Sequence, residues 1–215
     1  MPYIPIGLKN LLIIMALIGL AQVALPRVGI DSFFMYLFYP DSPWFRPWQL
    51  ITHIFCHGSI SHFLFNGIAL FSFGAIVEMR LGTQRFLMLF FLSAIGAVAL
   101  HFGNIAWQLY DQAGTIMPNH TIPGISVPYG PMVGASGAVY GVMVAFAMLY
   151  PNESLLFLFI PYPIKAKYLV SAMIGLDLLL ALGQIEGDIV AHYAHLGGAL
   201  VGLLFTFLWK RRLFI

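Results

Sequence analysis

Gly134-Ala135-Ser136-Gly137-Ala138-Val139-Tyr140-Gly141 opens an apolar run that continues only to Tyr150. A membrane helix needs about 20 predominantly apolar residues. A run this short is expected to begin below the bilayer surface, facing protein or water. One hydroxyl, Ser136, stands among residues with little or no side chain, where a backbone or a substrate can come close. A helix starting there aims its free N–H groups, and the positive end of its dipole, at that oxygen. The competing reading is packing. Gly137 and Gly141 form a GxxxG, a common contact between membrane helices. On this stretch alone, packing is the better reading.

Outward from it lie five longer apolar runs, at residues 8–25, 62–79, 86–110, 166–182 and 189–209; the short one, 136–150, is fourth in order. The 215 residues are 60% hydrophobic and 8% charged. A soluble domain carries about 25% charged residues, so the chain reads as a multi-span membrane protein, with residues 1–215 as one domain. A net charge of +2 is too small to imply a nucleic-acid partner. The single Cys56 excludes an internal disulfide framework and an all-cysteine metal site, and reads as a small apolar filler. The first run could pass for a signal peptide. With Pro26-Arg27 after it and five runs to follow, it reads as a first membrane helix. Residues 27–55 mix Asp31, Asp41 and Arg46 with Trp44 and Trp48, which suits an interfacial loop with short helices at headgroup depth. A Gly/Pro-rich loop fills 111–133, and an apolar connector broken by three prolines fills 151–163.

Charge sets the orientation. With six spans, Lys9, Arg80, Arg85, Lys165, Lys167, Lys210, Arg211 and Arg212 fall on one side, and only Arg27 and Arg46 on the other. By the positive-inside rule both termini are cytoplasmic, and the start of the fourth span faces outward. His62 and Asn66 then share one helical face at the outer end of the second span. His192 and His195 lie at the outer end of the sixth. Three spans thus bring a hydroxyl, imidazoles and a carboxamide to the depth of Ser136. Each residue alone is at least as well explained as hydrogen-bonding glue between helices; their common depth favours a site. A serine beside an imidazole is a nucleophile with its base. His62, Asn66 and the Ser136 N–H suit an oxyanion hole. Gly198 and Gly202, after His195, form a second GxxxG that would let the sixth span touch the fourth. Tyr140, one turn after Ser136, suits stacking on the imidazole or plain packing.

His57-Gly-Ser-Ile-Ser-His62-Phe-Leu-Phe-Asn66, Gly134-Ala-Ser136-Gly137 and Ala194-His195-Leu-Gly-Gly198 resemble the three signature stretches of the rhomboid intramembrane serine proteases. Glu78-Met-Arg80-Leu-Gly82 resembles that family's acidic-basic-glycine stretch. The resemblance covers nearly the whole chain. It implies an all-α membrane protein, a rhomboid-like six-transmembrane-helix bundle with an interfacial first loop. It implies that Ser136 is the nucleophile and His195 the base. His62, Asn66 and the Ser136 amide would line the oxyanion hole, and Tyr140, Gly134 and Gly137 would support them. Where many members have Trp-Arg, this chain has Trp48-Gln49, so the contact made by that arginine must be absent or met differently, nearby Arg46 being one candidate.

The implied activity is cleavage of peptide bonds in or beside transmembrane segments of membrane proteins, within the lipid bilayer and with no metal or cofactor. The bare six-helix length, rather than the resemblance, suggests a bacterial cytoplasmic membrane. The alternative is a rhomboid-like binding protein or chaperone that does not cut; a transporter is disfavoured by the lack of an inverted repeat. A metal site at His53, His57 and His62 lacks an HExxH pattern, and His53 and His57 are expected to hydrogen-bond loop backbone. His101 and His120 read as loop or interface residues. Between the two late histidines, the glycine pattern assigns the base to His195 and leaves His192 to meet water or loop at the surface. Asp188 lies about 10 Å from His195 along a helix axis and reads as a cap, so a Ser/His dyad is expected rather than a triad. Asp177, alone in mid-span, reads as either paired or functional, with no partner that the sequence names.

Overall fold

The computed structural model describes residues 4–24, 35–117, 131–156, 162–183 and 191–213. They form seven helices: α1 (Ile6–Ala24), α2 (Gln49–Thr52), α3 (Ile60–Leu81), α4 (Thr83–Ala113), α5 (Ser136–Leu149), α6 (Ala166–Gly183) and α7 (His192–Leu213). Five of these, α1, α3, α4, α6 and α7, are long and apolar enough to cross a membrane. The 14 residues of α5 rise only about 21 Å at ~1.5 Å each, against a hydrocarbon core of about 30 Å.

An evenly apolar helix belongs in a core, and α5 sits there, with Gly137–Val139 and Gly141–Phe146 buried. The other helices turn large apolar side chains outward, among them Leu17, Phe65, Leu179 and Leu200, as lipid-facing surfaces require. Glycine sets the tight spacing between α5 and α7. A Cβ on Gly198 would overlap the Gly137 carbonyl, and one on Gly202 would lie 2.6 Å from the Gly141 Cα. The paired GxxxG stretches therefore meet. A second close approach lies between Gly96 of α4 and Gly197 of α7, where a Cβ on Gly96 would lie 2.9 Å from the Gly197 carbonyl oxygen.

Glu78 ties the opposite ends of the chain's first half together. Its buried carboxylate accepts from the N–H groups of Gly7 (2.8 Å) and Leu8 (2.7 Å) and from the Thr83 hydroxyl (2.7 Å). Those amides belong to the first turn of α1, where no intrahelical acceptor exists. A carboxylate also suits the positive end of the helix dipole.

The first loop carries α2, followed by one 3₁₀ turn at His53–Phe55. Gln49, which follows Trp48, is fully buried. Its carboxamide accepts from the Arg46 N–H (2.9 Å) and the Phe38 N–H (3.5 Å) and donates to the Trp44 carbonyl (3.0 Å). Arg46 instead donates to the carbonyls of Pro43 and Phe45. Gln49 thus holds the backbone of residues 38, 44 and 46, while the Arg46 side chain holds that of Pro43 and Phe45.

The 151–163 connector contributes one strand of a short ladder, β1 (Ser154–Leu155) against β2 (Ile164–Lys165), antiparallel with Ser154 opposite Lys165. His101, expected in a loop or at an interface, lies within α4, which overturns the loop reading. Arg27, Asp31, His120 and Asp188 lie outside the described residues.

Candidate active site

The loop before α5 is clamped from two sides. Leu37 and Met132 exchange backbone hydrogen bonds of 3.0 and 2.8 Å, and the Gly134 N–H donates to the His53 carbonyl (2.9 Å). Gly134 has φ +107°, a region that side chains with a Cβ rarely enter. A Cβ there would also lie 2.6 Å from Cε1 of His62. The loop can therefore bend sharply with the His62 ring packed against it. Ser136 is the first residue of α5, and the first bond of its ladder runs from the Val139 N–H to the Ala135 carbonyl (2.9 Å). The amides of Ser136, Gly137 and Ala138 precede that bond and lie at the positive end of the helix dipole.

Close packing of α5 on α7 brings the Ser136 hydroxyl to the His195 imidazole, with Oγ and Nε2 2.9 Å apart. Tyr140 stacks flat on the same ring, centroids 4.4 Å apart and planes at 8°. Nδ1 of His195 donates to Oδ1 of Asp177 on α6 (3.0 Å), and Nδ1 of His192 contacts the same oxygen at shorter range. Asp177 and His192 are buried.

One expectation needs correction: His192 faces inward, not toward water at the surface. Asp177, expected to be paired or functional, is paired, and with His195 and Ser136 it makes a hydrogen-bonded chain of three. An acid in mid-span was a visible signal, but its bonds cross to residues 15 and 18 positions away on another helix.

Asn66 is buried one turn beyond His62, and its Nδ2 donates to the His62 carbonyl (3.0 Å). A carboxamide nitrogen carries two N–H groups, so one remains for another acceptor. His53 bonds the Gln49 carbonyl through Nδ1 (2.7 Å). For His57 the backbone that acts on the ring is that of Phe55, although among the described residues neither ring nitrogen meets a partner in full hydrogen-bond geometry. It packs edge-on against His62 and Phe63. Burial holds both His53 and His57 down to about 4, and for His57 the neighbouring His62 pushes the same way. Among the described residues, the cluster able to supply three metal ligands is Asp177, His192 and His195, not His53, His57 and His62.

A hydroxyl bonded to an imidazole, beside free helix N–H groups, is a pairing that can serve as nucleophile and base, here inside a multi-span helical membrane protein. The chain belongs to the rhomboid family: the family model for the rhomboid domain matches residues 45–212. It is similar to an uncharacterized mitochondrial rhomboid protein of Schizosaccharomyces pombe, 29% identical over 78% of this chain and 53% of the relative. It is similar to the rhomboid protease AarA of Providencia stuartii, 26% identical over 74% of this chain and 54% of that protein. The mitochondrial RHOMBOID-like protein 12 of Arabidopsis thaliana is 32% identical over 72% of this chain and 44% of its own length. The chain therefore spans about half the length of these relatives. Two of the three are mitochondrial by name, so the multi-pass membrane setting stands while a bacterial cytoplasmic membrane gains no support from them.

Proposed function

We propose that this protein is an intramembrane serine endopeptidase that cuts peptide bonds in or beside the transmembrane segments of other membrane proteins. The observation that carries this reading is the 2.9 Å contact between Ser136 Oγ and His195 Nε2. Ser136 attacks the scissile carbonyl while Nε2 of His195 takes the hydroxyl proton. The oxyanion is received by the Ser136 N–H, the second N–H of Asn66 and the His62 ring. His195 then gives the proton to the leaving amine, and water releases the acyl group by the same route. Tyr140 holds the face of the imidazole. Gly134 and Gly137 let His62 and α7 come close to the serine. Substrates are transmembrane proteins met in the lipid bilayer, with small residues at the cut, and neither metal nor cofactor is needed. The active site opens to the face opposite the basic helix ends.

The second reading, a rhomboid-like protein that binds transmembrane helices without cutting, has less in its favour, because it gives no use for a serine bonded to an imidazole. One experiment separates them. The detergent-solubilised protein is mixed with a single-span substrate and, separately, with a fluorophosphonate probe. We expect cleavage that survives strong chelators, and labelling confined to Ser136; Ser136→Ala and His195→Ala should abolish both. Substrate capture with no cleavage and no labelling would overturn the peptidase reading in favour of the binding one.

A further inference from the structure

We infer that Asp177 is a positioning residue for His195, so that Ser136, His195 and Asp177 work as a chain of three, with His192 as a brace. The inference rests on the serine-peptidase reading above. A buried carboxylate is tolerated where hydrogen bonds compensate its lost hydration. Here two bonds come from imidazole Nδ1 atoms on α7, which converge on one oxygen, Oδ1, and the Tyr140 side chain also acts on the carboxylate, while Oδ2 meets no partner in full hydrogen-bond geometry among the described residues. His192 and His195 stand one turn apart, so both rings meet α6 on one side of α7.

The consequence for His195 is chemical. A neutral imidazole carries one N–H, and the bond made by one nitrogen decides the state of the other. With Nδ1–H donated to Asp177, the lone pair is on Nε2, 2.9 Å from the Ser136 hydroxyl. That is the tautomer a general base requires. When Nε2 takes the serine proton, the imidazolium keeps Nδ1–H on a carboxylate inside a low-dielectric site, where opposite charges attract more strongly than in water. The ring is also fixed in angle, by its two bonds and by the flat stack of Tyr140. His192 reaches the same oxygen and holds the carboxylate in its rotamer. It does not touch Ser136.

Asp177, His192 and His195 could also gather around a divalent metal. Hydrogen bonding is the better account, because both Nδ1 atoms face one carboxylate oxygen and the second nitrogen of His195 is engaged with the serine. Occupation by a metal would withdraw His195 from its work as a base.

The test uses the purified full chain with a single-span substrate. Asp177→Asn keeps the shape and removes the charge. It should lower kcat by about 10⁴-fold, the loss seen when serine hydrolases lose the acid behind the histidine. KM and melting temperature should change little, fluorophosphonate labelling should slow in step, and Asp177→Glu should recover part of the loss. His192→Ala should cost less than Asp177→Asn. A readout free of substitution is nitrogen-15 NMR of labelled histidine, where His195 should be protonated at Nδ1 with that proton far downfield.

An Asp177→Asn protein that cleaves at the wild-type rate overturns the inference and leaves the Ser136–His195 pair standing. An Nε2–H tautomer for His195 also overturns it, and decides the question should Asp177→Asn fail to fold. Activity lost in chelator and restored by zinc overturns it in favour of a metal site. Failure of the unsubstituted protein to cleave is a different result, which falls on the peptidase reading itself.

Discussion

His57 packs with its ring centroid 5.1 Å from that of His62 and 5.4 Å from that of Phe63, both edge-on. Its pH behaviour follows from that burial. In the unfolded chain its imidazole titrates near 6.5, and in the folded protein near 4. Between those values the unfolded chain binds a proton that the folded one refuses, so stability present above pH 6.5 is lost as pH falls toward 4. His53 adds to the same slope. The melting temperature in detergent should therefore drop between pH 7 and 4.5, and His57→Phe should drop less. At pH 7 that variant should cost about 1 kcal/mol or less, because it replaces a ring with no partner in full hydrogen-bond geometry by an apolar one of similar shape. An unchanged slope would remove His57 from the titrating groups. At this scale the sequence showed residues whose signal is local: Ser136 in its run of small residues, His62 with Asn66 on one face, His195 ahead of its glycines. Asp177 was visible but not interpretable. Its partners lie on the next helix, and helical spacing fixes depth along an axis but not how two helices are turned toward each other.

Helix spacing controls the reacting distance at the next scale. What a Cβ on Gly198 would meet is the Gly137 carbonyl, backbone one residue past the nucleophile, which cannot rotate away as a side chain would. Gly198→Ala must therefore part α7 from α5, at a cost of about 1–3 kcal/mol for an overpacked contact. The parting acts directly on the Ser136–His195 bond, and a displacement of about 1 Å can cost about 10²-fold in rate. Gly198→Ala should accordingly lose far more cleavage than its melting temperature explains. Gly103→Ala on α4 has open space around the new Cβ and should leave cleavage unchanged. Equal activity in the two variants would show that the α5–α7 spacing is not what holds serine to histidine. The paired GxxxG stretches made this contact readable in advance. The Gly96–Gly197 approach was not, because neither glycine has another three or four residues away to form a GxxxG. The β1–β2 ladder escaped for a related reason: two-residue strands have no periodicity, and only their pairing defines them.

For the whole molecule, the question is which end of the bundle faces which compartment. Several contacts gather one set of helix ends. Glu78 near the end of α3 holds the first turn of α1 and the Thr83 hydroxyl at the start of α4. Lys210 near the end of α7 donates to the Met148 carbonyl near the end of α5 (3.2 Å). The Ala166 N–H at the start of α6 donates to the Glu153 carbonyl beyond α5 (2.8 Å). Lys9, Arg80, Arg85, Lys165, Lys167 and Lys210 lie at or beside those same helix ends. Ser136, His62, His192 and His195 lie at the opposite helix ends. Sequence alone counted the basic residues by side, and the contacts now show that the basic ends assemble into one face, away from the serine. The positive-inside rule then puts that face in the cytoplasm of an expressing bacterium. A green fluorescent reporter fused after Ile215 should fluoresce, because it matures in the cytoplasm. A phosphatase inserted after Met117, beyond the far end of α4, should be active, because it matures outside. A membrane-impermeant fluorophosphonate should label Ser136 in intact spheroplasts. Activity of both reporters on one side of the membrane would break the six-crossing topology. A fully inverted result, with the C-terminal reporter outside and Ser136 labelled only after lysis, would mean that the basic face does not set the orientation.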